Sequence, residues 1–309
     1  MKVVLLGPQR FDPSVADAAA AAGIEGRIAL VTAGWQEREP EDDELSEHLG
    51  GQTVNLRLHH RADHVFATDP EFRANYRARQ LRYRQLQDFY RIRLEHHIEM
   101  ARVIALRSAP EDVLAEEWQT SIEGIQALDA HHRAQCEQVR EVFRDRCDPA
   151  DRPAIKHHRE KVVEMLADCQ AVAIAGGHVA SLLNRLHLFG LSDLLAERPV
   201  LAWSAGAMAL TDNVVLFHDF PPHGADVPQM LDVGLGLAPG RVVLPGPETR
   251  LAVDEPQRMS MYATRFAPRR CVVLPRRSWM ILEDGECVQQ EGALSIDASG
   301  ALQPLEVSS

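Results

Sequence analysis

Short apolar runs alternate with helical stretches over the first third of the chain. Val3–Gly7 is apolar and closed by Gly7-Pro8, and an alanine-rich stretch from Pro13 to Ala22 follows, stopped by Gly23. Ile28–Thr32 reads as a second buried strand and Thr53–Leu58 as a third. Unbroken apolar runs of this length, spaced by helices, predict strands buried on both faces, as in a parallel sheet covered by helices. The pattern then changes. Residues 71–107 contain neither Gly nor Pro, and Phe72, Tyr76, Tyr83, Leu86, Tyr90, Leu94, Ala101 and Ile104 recur at helical spacing. Pro110 breaks this run, and a second over 111–147 carries Leu114, Trp118, Ile125, Leu128, Val139 and Phe143 before Pro149 and Pro153 close it. Two such runs predict an antiparallel helical hairpin. At about 1.5 Å per residue each arm spans on the order of 50 Å if unbroken.

After residue 154 the alternation resumes, with a helix to Ala167, a strand over Ala171–Ala175 and a strand over Pro199–Trp203 that runs into Ser204. Further short strands are expected near Val214–Leu216, Val242–Leu244, Val272–Leu274 and Met280–Leu282. The expected fold is a three-layer α/β domain with a mainly parallel sheet, built from 1–68 plus 151–309, with a helical insertion at 69–150.

Composition narrows the function classes. The chain has 309 residues, 45% of them hydrophobic, which suffices for a sizeable core. A net charge of −12 repels polyphosphate backbones, so no nucleic-acid partner is expected. The first hairpin arm is rich in arginine (73, 77, 79, 82, 84, 91 and 93), interleaved with Tyr76, Tyr83 and Tyr90, and the second arm is rich in acid. Such a face suits RNA or an acidic membrane, but a solvated face paired electrostatically to the acidic arm is the simpler expectation. The hairpin is also a candidate interface for a homodimer or another partner. No stretch approaches the roughly 18 apolar residues of a membrane span, and the N-terminal run is too short for a signal peptide. Five scattered cysteines without a CxxC pair fit a reducing cytoplasm. Histidines pair at 59-60, 96-97, 131-132 and 157-158, and Asp129 and His132 have an i, i+3 spacing. Adjacent helix residues point to different sides, so these read as partly exposed helix histidines, and no metal site is expected. With neither a GxGxxG nor a Walker loop, no cofactor is expected.

The chemistry concentrates in Val200-Leu201-Ala202-Trp203-Ser204-Ala205-Gly206-Ala207-Met208. An apolar strand meets a serine, then small residues, then a helix. This is the shape of a nucleophile elbow, whose neighbours must be small because the nucleophile's backbone is strained. A plain strand-to-helix turn with Ser204 as N-cap is the alternative. A second strand end, Ala173-Ile174-Ala175-Gly176-Gly177-His178, supplies glycines whose amides approach a substrate closely.

Together these residues resemble the dipeptidase E and cyanophycinase serine peptidases, relatives of the class I glutamine amidotransferases. The resemblance lies in Gly176-Gly177-His178, Leu182-Leu183, Trp203-Ser204-Ala205-Gly206-Ala207, Gly234-Leu235-Gly236-Leu237 and Arg250-Leu251. It implies a class I glutamine amidotransferase-like, flavodoxin-like fold and a serine hydrolase that cleaves an amide bond in a small or acidic peptide. Ser204 would be the nucleophile. The amides of Gly177 and Ala205 would hold the oxyanion, beside Gly176, His178 and Gly206. Asp219, fifteen positions after Ser204 in His218-Asp219-Phe220-Pro221, would orient a histidine. The family's histidine falls where this chain has Gly246. Three outcomes are therefore open. His218, His223 or His178 supplies the base; or the protein is a catalytically silent relative that binds a peptide-like ligand or a partner; or Ser204 works with a water assisted by Glu248.

Overall fold

The computed structural model describes residues 1–220 and 227–308. Strands β1 (Lys2–Leu6), β2 (Ile28–Val31), β3 (Thr53–Asn55), β4 (Ala171–Ile174) and β5 (Val200–Trp203) run parallel in the order β3-β2-β4-β5-β1. Strands β6 (Asn213–Leu216) and β7 (Gln229–Val233) form an antiparallel pair of their own. Strands β8 (Arg241–Pro245) and β9 (Arg270–Leu274) pair in parallel. Strands β10 (Trp279–Glu283) and β11 (Glu286–Glu291) extend the central sheet antiparallel beyond β1. Strands β12 (Leu294–Ile296) and β13 (Leu302–Pro304) join β9 and β8 in a second sheet. The helices are α1 (Val15–Ala21), α2 (Asp43–His48), α3 (Leu58–Thr68), α4 (Pro70–Ala105), α5 (Glu111–Arg146), α6 (Pro153–Ala167), α7 (Val179–Leu188), α8 (Leu191–Leu195), α9 (Ala205–Ala209), α10 (Pro247–Arg250) and α11 (Pro256–Phe266).

The unbroken apolar runs are explained by burial on both faces. Val3 and Leu5, Ala29 and Val31, Val172 and Ile174, and Val200 and Ala202 pack into one core, which α3, α6 and α7 cover. The alternate residues Val4, Leu6, Ile28, Leu30, Ala171, Ala173, Leu201 and Trp203 pack into another, with Val15 and Ala18 of α1 and Leu45 of α2. Alternation of side chains across each strand thus yields three layers. Two expectations are corrected. The third strand ends at Asn55, because the Asn55 Oδ1 accepts from the Arg57 amide at 2.9 Å and Arg57 turns left-handed into α3. The later strands do not simply lengthen the parallel sheet; β8, β9, β12 and β13 build a separate one.

The long helical runs form as their spacing predicts. Asp69 caps α4 by accepting from the Phe72 amide at 2.9 Å, with Pro70 in the first turn. Arms α4 and α5 run antiparallel: Phe72 meets Phe143 near one end, and the Tyr90 hydroxyl donates to Asp129 at 2.7 Å farther along. Tyr90, Leu94, Ile98, Ile122, Ile125 and Leu128 share one buried cluster. Ion pairs at the arms include Arg91 with Asp88 and Arg133 with Glu137, each within one arm, and Arg140 with Asp232, which reaches the body. No helix among the described residues is long and apolar enough to cross a membrane.

The hairpin is bound to the body by a buried ionic cluster. Arg265 of α11 donates from Nε and Nη2 to both carboxylate oxygens of Asp129, at 2.8 and 2.9 Å. Its Nη1 donates to the Pro228 carbonyl at 2.7 Å, and its Nη2 to the Tyr90 hydroxyl at 3.0 Å. His132 stacks on Tyr90 with ring centroids 4.2 Å apart. His132 is therefore buried, not partly exposed as expected, as is Asp129, while the adjacent His131 faces solvent.

Candidate functional site

Ser204 joins β5 to α9 with φ 52° and ψ −122°, a backbone region that side-chain-bearing residues avoid. Such a conformation costs of order 1–3 kcal/mol and persists only where its surroundings enforce it. Here the Ser204 amide donates to the Leu6 carbonyl at 3.3 Å, and its own carbonyl accepts from the Met208 amide at 3.1 Å. The turn is thus fixed between β1 and the first turn of α9. Small residues permit it: a Cβ on Gly206 would stand 2.3 Å from the Ile174 carbonyl oxygen. That contact gives Gly206 a packing role against β4.

Gly176 and Gly177 follow β4, the neighbour of β5, so both turns share the carboxyl edge of the parallel strands, where ligands bind in such sheets. A Cβ on Gly176 would lie 2.9 Å from the Ser204 Cβ, so the two turns touch. The amides of Gly177 and Ala205 donate to no group among the described residues. Both are available to a developing negative charge. Sequence reading missed a third member of this edge. Gln36, beyond β2, has φ 59° and ψ −123°, nearly the backbone of Ser204. Its Nε2 donates to Ser181 Oγ at 2.8 Å, and that hydroxyl lies 3.0 Å from His178 Nδ1. The small run Ala33-Gly34 before Gln36 is the signal that pointed there.

Among the described residues, neither His178 nor His218 hydrogen-bonds to Ser204. The Ser204 hydroxyl has no hydrogen-bond partner among the described residues. His178 Nδ1 accepts from the Ser181 amide at 3.1 Å, capping α7. His218 Nδ1 accepts from the Phe220 amide at 3.2 Å. In each neutral ring the proton therefore sits on Nε2, which leaves a donor and no free acceptor. His223 lies outside the described residues.

Asp219 is buried, and its oxygens are already engaged. Oδ1 faces Arg258 Nε at 3.0 Å and accepts from the Tyr262 hydroxyl at 3.1 Å, while Oδ2 accepts from the Ala252 amide at 2.8 Å. Burial and this neighbouring carboxylate push the Tyr262 hydroxyl well above the ordinary phenol range. Asp219 thus ties its loop to α11 and engages no histidine among the described residues. Gly246 ends β8 with φ 71°, and a Cβ there would meet Pro8 Cγ, just beyond β1, at 3.2 Å. Glu248 Oε1 accepts from the Arg276 amide at 2.8 Å. No three His, Cys, Asp or Glu side chains among the described residues are grouped to hold a metal ion.

No family model matches the chain. No curated protein matches it either. Among solved structures it is similar to a peptidase from an acI-B1 Actinobacterium, with 12% sequence identity, a TM-score of 0.47, and alignment over 100% of this chain and 95% of that one.

Proposed function

We propose that the protein is a serine hydrolase that cleaves an amide bond in a small peptide-like substrate, with Ser204 as the nucleophile. The observation that carries this is the backbone of Ser204, held at φ 52° and ψ −122° on the carboxyl edge of the sheet against Gly176. Ser204 Oγ attacks the carbonyl carbon as its proton passes to a base. The resulting oxyanion is held by the amides of Gly177 and Ala205, and the N-terminus of α9 adds its positive end. The protonated base then donates to the leaving amine, and water releases the acyl group from Ser204. Of the three histidines considered, His178 and His218 present donors. We assign the base to His223, and His178 Nε2 remains a donor that a substrate can use.

A second function is favoured by two specific observations. Asp219 is committed to Arg258, and Gly246 leaves no imidazole at the end of β8. Both suit a catalytically silent relative that binds a peptide-like ligand at the same edge. Labelling with a fluorophosphonate probe separates the two. A hydrolase is labelled in the wild type and not in Ser204→Ala, and His223→Ala slows labelling at neutral pH by roughly 10²–10⁴-fold. No Ser204-dependent labelling sinks the hydrolase and leaves the silent relative.

A further inference from the structure

Helix α4 carries two apolar faces. The first, with Phe72, Tyr76, Leu86, Tyr90, Leu94 and Ile98, is buried. The second, with Leu81, Phe89, Ile92, Met100 and Val103, lies in solvent, each residue between 40% and 62% exposed. Leu81, Ile92 and Val103 recur at eleven-residue intervals, and so do Phe89 and Met100. Eleven residues make three helical turns with about 20° to spare, so the five fall within an arc of about 100°, the width of the stripe a helix uses for packing. From Leu81 to Val103 the stripe runs about 33 Å along the helix. A solvated face does not account for it. Single exposed apolar residues are ordinary, but a regular row of them marks a contact. Helix α5 is equally long, yet the large apolar residues it exposes are Val113 and Val142, near its two ends.

The order of residues in the stripe selects its occupant. Counted outward from Ile92, Leu81 and Val103 stand eleven positions away on either side, Gln85 and Met100 seven and eight, and Phe89 and His96 three and four. The contact positions are therefore spaced nearly alike when read in either direction. An antiparallel helix matches the stripe when it is a second copy of α4: Leu81 of one copy meets Val103 of the other, Phe89 meets His96, and Ile92 meets its own counterpart. Charge agrees with this. Arg84 and Glu99, eight positions before Ile92 and seven after it, flank the same edge of the stripe, and neither makes an ion pair among the described residues. Reversal of the second copy sets each opposite the other, at both ends of the seam. A patch that matches itself in this way is what a twofold interface requires. Because an eleven-residue repeat stays close to the helix axis, the pair needs only a gentle right-handed twist. We propose that this face is the interface of a homodimer in which α4 packs antiparallel against α4 of a second copy, with the twofold axis beside Ile92. Gln85 and His96 interrupt the apolar row, which makes the dimer a reversible one.

Sedimentation velocity of the full chain over about 1–100 µM tests this, with the dimer expected to dominate above roughly 10 µM. Ile92→Glu sets two carboxylates against each other at the axis and is expected to raise the dissociation constant about a hundredfold or more. At concentrations where both are monomeric its urea midpoint stays at the wild-type value, because the position is exposed. Val142→Glu, at a comparably exposed apolar residue of α5, leaves the dimer unchanged. Direction is read by cross-linking, since the five native cysteines are buried. Under mild oxidation, Leu81→Cys mixed with Val103→Cys is expected to give a disulfide-linked dimer. Leu81→Cys alone is not, because its two copies stand about 33 Å apart along the seam. If Ile92→Glu melts early, the cross-links decide. A chain that stays monomeric across the range overturns the interface, as does a dimer that Ile92→Glu leaves intact. Cross-linking of Leu81→Cys alone shows a parallel pair and overturns the arrangement. Sedimentation of a monomer with acidic phospholipid vesicles assigns the stripe to a membrane surface instead.

Discussion

At the residue scale, Gly176 and Ser204 act as one unit, because their turns leave no room for a second side chain. Gly176→Ala sets a Cβ 2.9 Å from the Ser204 Cβ, and neither strand end is free to withdraw. The expected outcome is a loss of about 1–3 kcal/mol in urea denaturation, together with loss of Ser204-dependent probe labelling. Unchanged labelling would show that the turn does not depend on this contact. Gly246→His is the converse test. Placing an imidazole there requires a left-handed φ of 71° and a Cβ 3.2 Å from Pro8 Cγ. The variant is expected to lose stability and gain no hydrolysis of amide substrates; a gain of activity would show that Gly246 alone silences the site. The serine turn was legible because strain demands small neighbours, and Ala205-Gly206-Ala207 are written consecutively in the chain. The true partners of Asp219 were not legible. Arg258 and Tyr262 lie on α11, and spacing along a chain says nothing of which distant side chain reaches a carboxylate.

At the element scale, periodicity announces a helix and its buried face but not what covers that face. The recurrence of aromatic and aliphatic residues marked α4 and α5 closely, and Pro110 marked their junction. It could not show that Asp129, on the second arm, meets Arg265 of α11 across 136 positions of sequence. This pair matters energetically because both charges are out of water, and each is tolerable only beside the other. Arg265→Met leaves Asp129 buried and uncompensated, with an expected loss of about 3–5 kcal/mol. Adding Asp129→Leu to it removes the orphaned charge and is expected to recover much of that loss, as read by chemical denaturation of the single and double variants. If the double variant is no more stable than the single, the damage comes from lost packing and the ionic account fails.

At the scale of the whole molecule, the parallel core is written in unbroken apolar strands, whereas the second sheet and the β6–β7 pair are not. Short strands with similar burial read alike whether their partners run parallel or antiparallel, because the hydrogen bonds that distinguish them involve no side chain. Stability against acid is likewise a property of the assembled chain. Burial pushes the His132 imidazole down to about 4, despite the opposing pull of Asp129 and Asp232. Burial, with Arg61 and His64 adding to it, does the same to His158. The His158 ring is locked: its Nδ1 lies 3.2 Å from Arg61 Nη1, and its Nε2 lies 2.9 Å from His64 Nδ1. A proton added at Nδ1 would face a guanidinium. In the unfolded chain both histidines take up a proton near pH 6.5. Above that pH both states are neutral and the two residues contribute no pH dependence. Below it the unfolded state binds protons that the native state refuses, so stability falls as pH drops from about 6.5 toward 4. The urea midpoint is therefore expected to be flat between pH 8 and 7 and to decline from pH 6.5 to 5. His132→Phe keeps a ring against Tyr90 and removes the titrating nitrogen, so it should flatten part of that decline. An unchanged slope would place the acid sensitivity elsewhere than in the contact between the hairpin and the body.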